Sequence, residues 1–171
     1  MLRHRRRALL AVGVLFVSLL ASGCGAILDE ALGPDDARRD EPGGEITAAS
    51  DADVFSLQVG DCFSAADTAA SEVTEIPVVP CGEPHDAEIY AATTLPEGDY
   101  PGDDEVLRLA EECCVGEYEA FVGLAYEESR HASWPFTPTQ DGWEVQGDRV
   151  VQCVVDTTGA EITGSLEGTA S

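Results

Sequence analysis

The six cysteines of this chain constrain its fold more than any other feature of the sequence. In an oxidising compartment, cysteines pair into disulfides that hold small domains together, whereas in the cytoplasm they stay reduced. The residues that lead up to the first cysteine, Cys24, therefore decide how the other five should be interpreted.

The first 23 residues have the composition of an export signal. Four arginines lie within residues 3–7, and an uncharged apolar run follows at residues 8–20, which is short for a membrane-spanning helix of about 20 residues. Small residues at 21–23 then lead directly to Cys24. This pattern resembles a lipobox, in which a signal peptidase cleaves before a lipid-bearing cysteine, although Ala21 stands where leucine is usual. An ordinary secretory signal and an uncleaved anchor are the alternatives.

Removal of residues 1–23 would make the net charge of this acidic chain more negative. The whole chain has 33 Asp and Glu against 9 cationic residues, all of them arginine, and its formal charge is −24. Cleavage before Cys24 removes four arginines and no acid, which leaves −28 on residues 24–171. Nucleic acid is excluded as a partner, because binding to phosphates needs a cationic surface. The mature part is expected to face outward, since the arginine-rich start stays cytoplasmic.

The sequence divides into three parts. Residues 1–23 are predicted to be a lipoprotein signal peptide, 24–53 a lipidated, acidic and flexible tether, and 54–171 a compact domain. Acidic residues, prolines and paired glycines dominate the tether, and large apolar residues are rare in it. Two acyl chains on Cys24 would hold the protein on the outer face of the cell membrane.

The compact domain is predicted to be α+β, with an antiparallel sheet of about four or five strands packed against one long helix. Pro77 favours an edge or bulged strand where it occurs, and the last long strand is predicted to be central because both of its faces are apolar. The Pro-rich residues 133–143 are predicted to be irregular. The predicted strands are 54–59, 72–79, 86–95, 148–156 and a short one at 162–166.

A helix is predicted from about residue 105 to about residue 127, with Asp103 or Asp104 as its cap. Apolar residues recur there at spacings of three and four, which is typical of a helix with one buried face. Gly123 is either a blemish inside this helix or an early stop. The predicted face consists of Leu107, Ala110, Cys114, Tyr118, Phe121 and Ala125.

If Cys24 carries lipid, five cysteines remain, and one thiol must stay unpaired. Cys62 and Cys81 flank one hairpin-sized segment and are predicted to pair. Cys153 then pairs with Cys113 or Cys114, and Cys114 is favoured because it lies at the centre of the predicted apolar face. A zinc site at Cys81, His85 and Cys113 or Cys114 is disfavoured, since the usual C-x₂₋₄-C spacing is missing and exported cysteines are usually oxidised. No metal or cofactor is expected.

Six short motifs, in a fixed order, resemble the septum formation-related family of actinobacterial envelope proteins. The resemblance implies an association with septation or the cell envelope, as a lipoprotein or membrane-anchored domain, and no defined reaction. It also favours Cys114, because the family cysteine stands nine residues before the glycine aligned with Gly123; Cys113 departs from the pattern. The motifs are VGDCF (59–63), PCGEPHDAEIY (80–90), YPG (100–102), FVG (121–123), GDRVVQC (147–153) and TGSL (163–166).

The most distinctive of these motifs contains a histidine with acidic neighbours. Pro84 restricts the chain before His85, Asp86 is placed to orient the imidazole, and Glu88 shares a strand face with Asp86. One interpretation is a binding or proton-sensing cluster. The other, which we favour, is a structural histidine hydrogen-bonded beside the Cys81 disulfide.

Two functions follow from these patterns. The first is a non-enzymatic envelope lipoprotein that serves as a binding or scaffold module for cell-division or cell-wall proteins. The second is an envelope hydrolase or ligand-sensing domain that uses His85 with Asp86 or Glu88, which predicts a pocket of several hundred Å³ around those side chains.

Overall fold

The computed structural model describes residues 37–68 and 73–171. These residues form an antiparallel sheet of six strands and one long helix, which confirms the predicted α+β class and adds a strand or two to the number expected. The order across the sheet is β1-β3-β2-β4-β6-β5. The strands are β1 (Ser50–Asp53), β2 (Cys62–Phe63), β3 (Glu75–Val79), β4 (Ala87–Thr94), β5 (Ala132–Phe136) and β6 (Val150–Asp156), and the helix is α1 (Asp103–Val122).

The two longest strands, β4 and β6, are paired with each other in the interior of the sheet. Residues 151–155 of β6 are all buried, and β4 and β5 flank this strand on either side, so the predicted central strand is confirmed. Val151, Cys153 and Val155 pack with the helix, whereas Val154 packs on the opposite side of the sheet. Both faces of the sheet are therefore covered, as the sequence of β6 indicates.

The helix packs on one face of the sheet through a narrow stripe of residues spaced four apart. This stripe differs from the predicted face, because Val106 is buried and Leu107 is 44% exposed. The helix ends at Gly123, which adopts a left-handed φ of 84° and donates its N–H to the Glu119 carbonyl oxygen at 2.9 Å. It begins after Gly102, so the predicted aspartate cap is wrong, and Asp103 and Asp104 lie in the first turn instead. The buried stripe is Val106, Ala110, Cys114, Tyr118 and Val122.

The opposite face of the sheet is covered by residues that the sequence assigns to the tether. Ala37, Ile46 and Ala52 are buried in a core cluster with β3 and β4, and residues 50–53 form strand β1. The prediction of a flexible tether is therefore wrong for residues 37–53, while residues 24–36 and Cys24 lie outside the described part of the chain. The ordered domain therefore includes residue 37, which is seventeen residues before residue 54.

A buried ion pair holds this N-terminal segment in place. Arg39 donates from Nη1 to Asp61 Oδ1 at 2.8 Å and from Nη2 to Asp61 Oδ2 at 2.5 Å. The Arg39 side chain is 9% exposed and the Asp61 side chain 2% exposed. Arg39 also donates to the Gly44 carbonyl oxygen, and Asp61 accepts from the Gln58 N–H at 2.7 Å. This bidentate geometry fixes the segment against the loop before β2.

Several predicted strands differ from those in the structure. The predicted strand 54–59 is a 3-10 turn followed by a loop, residues 132–136 form β5 rather than an irregular segment, and 162–166 contributes one bridge, from Ile162 to His85. Pro135 is tolerated in β5 because that strand lies at the sheet edge. The predicted edge or bulged strand at Pro77 is wrong, because β3 lies between β1 and β2. Proline is tolerated there because β2 pairs only with Val78 and Val79 and does not reach Pro77.

Within residues 37–68 and 73–171, no helix has the length and apolar character needed to cross a membrane.

Replacing Arg39 with alanine should lower the free energy of unfolding by about 3–5 kcal/mol, because Asp61 would remain buried without its cation. The matched control is Arg108→Ala, which removes an arginine that is 55% exposed and pairs with Glu105 and Glu112 on the surface of α1. Its effect should be far smaller, since water screens exposed ion pairs. Urea unfolding followed by tryptophan fluorescence measures both. Equal stability of the two variants would contradict the assignment of residues 37–53 to the domain.

Candidate functional site

The turn between β3 and β4 carries the histidine that the sequence singles out. Its backbone is held at both ends: the Glu83 N–H donates to the Pro80 carbonyl oxygen at 2.8 Å, and His85 exchanges two backbone hydrogen bonds with Ile162. Those two bonds, of 3.1 Å and 2.8 Å, join the turn to the C-terminal segment, which we define as residues 162–171. The position of His85 is therefore set by backbone contacts on two sides.

The imidazole of His85 is buried, with 3% of the residue exposed. Its Nδ1 lies 2.8 Å from the Glu83 carbonyl oxygen. Because a carbonyl oxygen only accepts, Nδ1 must carry the proton, and in the neutral ring Nε2 then holds a free lone pair. Nε2 is buried and has no hydrogen-bond partner among residues 37–68 and 73–171. The ring thus has one nitrogen fixed by the backbone and one available for chemistry.

Asp86 does not orient the imidazole as predicted. Its Oδ1 accepts the Ala65 N–H at 2.6 Å, across the turn that follows β2. Its carbonyl oxygen accepts the N–H of Thr157 at 2.9 Å and the hydroxyl of the same residue at 3.1 Å. Asp86 therefore connects the residue before β4 with the turn after β2 and with the residue after β6. The group that orients the His85 ring is the Glu83 carbonyl oxygen.

Glu88 is a buried carboxylate that binds the C-terminal segment. Only 1% of the residue is exposed, its Oε2 accepts the Leu166 N–H at 2.8 Å, and its Oε1 accepts the Ser165 hydroxyl at 2.7 Å. Burial raises the pKa of Glu88 above its usual value, while these two hydrogen bonds and the nearby His85 act in the opposite direction. Glu88 and Asp86 bind different segments, so the predicted trio does not converge on one point.

The C-terminal segment in turn closes the end of α1. The Gly168 N–H donates to the Phe121 carbonyl oxygen and the Ala170 N–H to the Val122 carbonyl oxygen, each at 2.8 Å. The last turn of a helix leaves carbonyl groups without partners in the helix itself, and these two bonds satisfy two of them. Glu88 therefore stabilises the end of α1 indirectly, because it holds the C-terminal segment in place.

Both predicted disulfides are present. Cys62 pairs with Cys81 and Cys114 pairs with Cys153, while Cys113 is a free, partly buried thiol. A ring nitrogen of His85 lies within 4.8 Å of the sulfur atoms of Cys62 and Cys81. The favoured interpretation of His85 as a hydrogen-bonded residue beside this disulfide agrees with that placement.

Two buried charged residues were not identified as important from the sequence. Asp61 belongs to the VGDCF motif, but nothing in the sequence indicates that Arg39 is its partner. Arg149, 8% exposed, stacks over Trp143 with its guanidinium carbon 3.7 Å from the ring centroid. It donates to the carbonyl oxygens of Trp143, Asp148 and Gly98 rather than to a carboxylate. The GDR motif is the signal that points to it.

The model of a family described as septum formation matches residues 59–170. The chain belongs to the septum formation family. Searches of curated proteins and of solved structures gave no match. Membership relates the protein to cell division, and a septum formation domain with two disulfides fits an extracytoplasmic protein.

Three of the six motifs that resemble the septum formation family, VGDCF, PCGEPHDAEIY and TGSL, lie in contact with one another. Cys62 of VGDCF is bonded to Cys81 of PCGEPHDAEIY, and Glu88 of the same motif binds Ser165 and Leu166 of TGSL. The Ile89 N–H also donates to the Asp61 carbonyl oxygen at 2.9 Å. These motifs therefore form one connected network across the sheet and the C-terminal segment.

Two substitutions of Glu88 should distinguish the effect of its hydrogen bonds from the effect of its charge. In Glu88→Gln the amide oxygen can accept the Leu166 N–H and the amide nitrogen can donate to Ser165, so the C-terminal segment should stay bound. In Glu88→Ala the buried Leu166 N–H loses its acceptor, and the free energy of unfolding should fall by about 1–3 kcal/mol or more. Hydrogen exchange should then increase at residues 162–171 in the alanine variant alone.

The pH dependence of stability, compared between the wild type and Glu88→Gln, should report the raised pKa of Glu88. A carboxyl whose pKa is higher in the folded than in the unfolded state contributes stability below the unfolded pKa, and that contribution is lost as pH rises through the folded pKa. The stability of the wild type relative to Glu88→Gln should therefore fall as pH rises above the usual glutamate pKa of about 4.3 and through the raised pKa of Glu88. A difference that stays constant or increases with pH would contradict burial as the dominant influence on Glu88.

Proposed function

We propose that the protein is a lipid-anchored, extracytoplasmic binding module that acts at the division septum without an enzymatic reaction of its own. Lipid on Cys24 would hold it on the outer face of the cell membrane, and residues 25–36 would separate the domain from the bilayer. The partners are proteins of the division or wall machinery, recognised by the folded domain.

The observation that carries this proposal is the use of the motif side chains inside the domain. Asp86 is bound to Ala65, Glu88 to Ser165 and Leu166, and Nδ1 of His85 to Glu83. Groups held in this way stabilise a rigid surface, which lowers the entropy lost when a partner binds. A binding role thus explains why such distinctive residues are buried.

The loop between β1 and β2 provides the binding surface in this proposal. Phe55 is 63% exposed and Val59 is 53% exposed, although both belong to a short loop whose backbone is held in place. The Phe55 N–H donates to Asp53 at 2.8 Å, and the Gln58 N–H donates to the carboxylate of Asp61, which Arg39 fixes. Two exposed apolar side chains on a preorganised loop are typical of a contact with another protein.

Charge also favours a protein partner. At −28 the mature chain would be repelled by anionic lipid headgroups and anionic wall polymers, within about one Debye length of 8 Å at physiological salt. A protein partner with a basic rim around an apolar site would match both the loop and the charge.

The alternative is an envelope hydrolase or ligand-sensing domain that uses His85 with Asp86 or Glu88. The unpartnered Nε2 of His85 favours it, because a free lone pair on a positioned imidazole can accept a proton. A surface depression of about 500 Å³ lies at the start of α1 and is lined by residues 101–105 and Arg108, so it is separate from His85 and gives this alternative no support.

The test uses a fluorescent fusion of the full chain in dividing cells. Changing both Phe55 and Val59 to serine should abolish septal enrichment, because each apolar side chain buried at an interface contributes about 1.5–3 kcal/mol, or about tenfold or more in affinity. The matched control changes Val145 and Val150, which are 80% and 46% exposed elsewhere on the domain, to serine. That control should keep septal enrichment.

Two further variants separate the anchor and the alternative from the binding surface. Cys24→Ala should remove palmitate labelling and release the protein from membranes, and labelling that persists would contradict the lipid anchor. His85→Asn keeps a side-chain donor for the Glu83 carbonyl and should leave septal function intact. Loss of function in His85→Asn, with normal behaviour of the Phe55 and Val59 variant, would favour the enzymatic or sensing alternative.

A further inference from the structure

We propose that Cys62, Cys81 and His85 form a binding site for Zn²⁺ when the disulfide between the two cysteines is reduced. This inference departs from the expectation that the protein binds no metal, and it does not depend on the proposed partner surface. It concerns a second state of the same residues, in which thiolates replace the disulfide.

The ligand atoms are already close together. The two sulfur atoms and a ring nitrogen of His85 lie within 4.8 Å of one another, on residues from β2 and from the turn that precedes β4. Zn²⁺ binds sulfur at about 2.3 Å and imidazole nitrogen at about 2.0 Å, so ligand atoms around one ion are separated by distances of this order. Breaking the disulfide releases the two sulfur atoms from their bond, so that both can bind one ion.

The imidazole has the arrangement of a metal-binding histidine. Metal ligands of this type donate their other ring N–H to a backbone carbonyl or a carboxylate, which fixes the tautomer and the ring orientation. In His85 the Nδ1–H donates to the Glu83 carbonyl oxygen at 2.8 Å, while Nε2 is buried without a partner. A buried nitrogen without a hydrogen bond is costly in the oxidised protein, and a bound cation would give it a partner.

The same disulfide is the more accessible of the two. Cys81 is partly exposed, whereas Cys114 and Cys153 are 2% and 1% exposed. Thiol–disulfide exchange requires an attacking thiolate to reach one sulfur, so access favours reduction at Cys81. The selective opening of this disulfide would leave the bond between the helix and the sheet intact.

The chemistry balances with an extracytoplasmic dithiol as the reductant. Two thiols of that reductant give two electrons and two protons to the Cys62–Cys81 disulfide, which yields two protein thiols and the disulfide of the reductant. Zn²⁺ then displaces both thiol protons, and the two thiolates neutralise its charge while Nε2 donates its lone pair. A water molecule would complete four-coordination, since the protein supplies three ligands.

The experiment uses the full chain, reduced anaerobically with a limiting amount of a phosphine. Alkylation of new thiols followed by peptide mapping should locate them at Cys62 and Cys81, with Cys114–Cys153 still bonded. Cobalt(II), the spectroscopic substitute for zinc, should then bind in one equivalent and give a thiolate-to-cobalt charge-transfer band. Zn²⁺ should displace it, and the oxidised protein should give no such band.

The decisive variant is His85→Asn, which keeps a donor for the Glu83 carbonyl and removes Nε2. It should weaken Co²⁺ and Zn²⁺ binding by about tenfold or more, since even the partners of metal ligands contribute 10–100-fold. The controls Cys113→Ser and His131→Asn, which remove another thiol and another buried imidazole, should bind as the wild type does.

Three results would overturn the proposal. They are metal binding that does not depend on His85, a folded reduced protein without a thiolate-to-cobalt band, and first reduction at Cys114–Cys153. If reduction unfolds the chain, circular dichroism decides: recovery of structure with one equivalent of Zn²⁺, absent in His85→Asn, supports the site, and failure to recover overturns it.

Discussion

The disulfide between Cys114 and Cys153 joins the helix to the central strand, and the other layers of the domain are arranged around that connection. The helix contacts the sheet through one narrow stripe, and its outer surface carries many acidic side chains on a protein of high negative charge. Repulsion of this kind opposes compaction. Closing a loop across 39 residues offsets it by about 4 kcal/mol in the chain-entropy model.

The remaining contacts hold the chain on both faces of the same sheet. On the helix side, Tyr90 of β4 donates its hydroxyl to the Cys114 carbonyl oxygen at 2.7 Å, and Glu88 holds the C-terminal segment that closes the helix end. On the opposite side, the Arg39–Asp61 ion pair fastens residues 37–53 over β3 and β4. Glu88, Tyr90 and Asp61, which all lie in motifs of the septum formation family, therefore add polar contacts between elements that also pack through apolar side chains.

How much of this could be predicted from the sequence depends on whether a signal is local. The central position of β6 follows from two apolar faces in one short run, and Cys114 follows from helical periodicity; both predictions are confirmed. The choice between Val106 and Leu107 as the start of the buried stripe was wrong, because neighbouring apolar residues fit either rotation of a helix. The edge strand β5 was not predicted because it contains Pro135. Proline disfavours a strand only where a backbone N–H is needed for pairing, and an edge strand has one side without that need.

Long-range polar contacts could not be predicted. Residues 37–53 have the composition of a linker, since Ala37, Ile46 and Ala52 are small or isolated among acidic residues. The contacts that order them are distant in sequence: Arg39 pairs with Asp61, 22 positions away, and β1 pairs with β3, and no local pattern reveals either contact. For the candidate site, the sequence identified His85, Asp86 and Glu88 but not their partners Glu83, Ala65 and Ser165, because such pairings depend on where strands and loops meet.

Two disulfides, Cys62–Cys81 and Cys114–Cys153, hold this domain while Cys113 stays free. Mass mapping of peptides from the non-reduced, alkylated protein tests this pairing. We expect those two linked peptide pairs and an alkylated Cys113. A peptide that links Cys113 to Cys153 would contradict it, because the helix would then have to rotate and its buried stripe would no longer face the sheet.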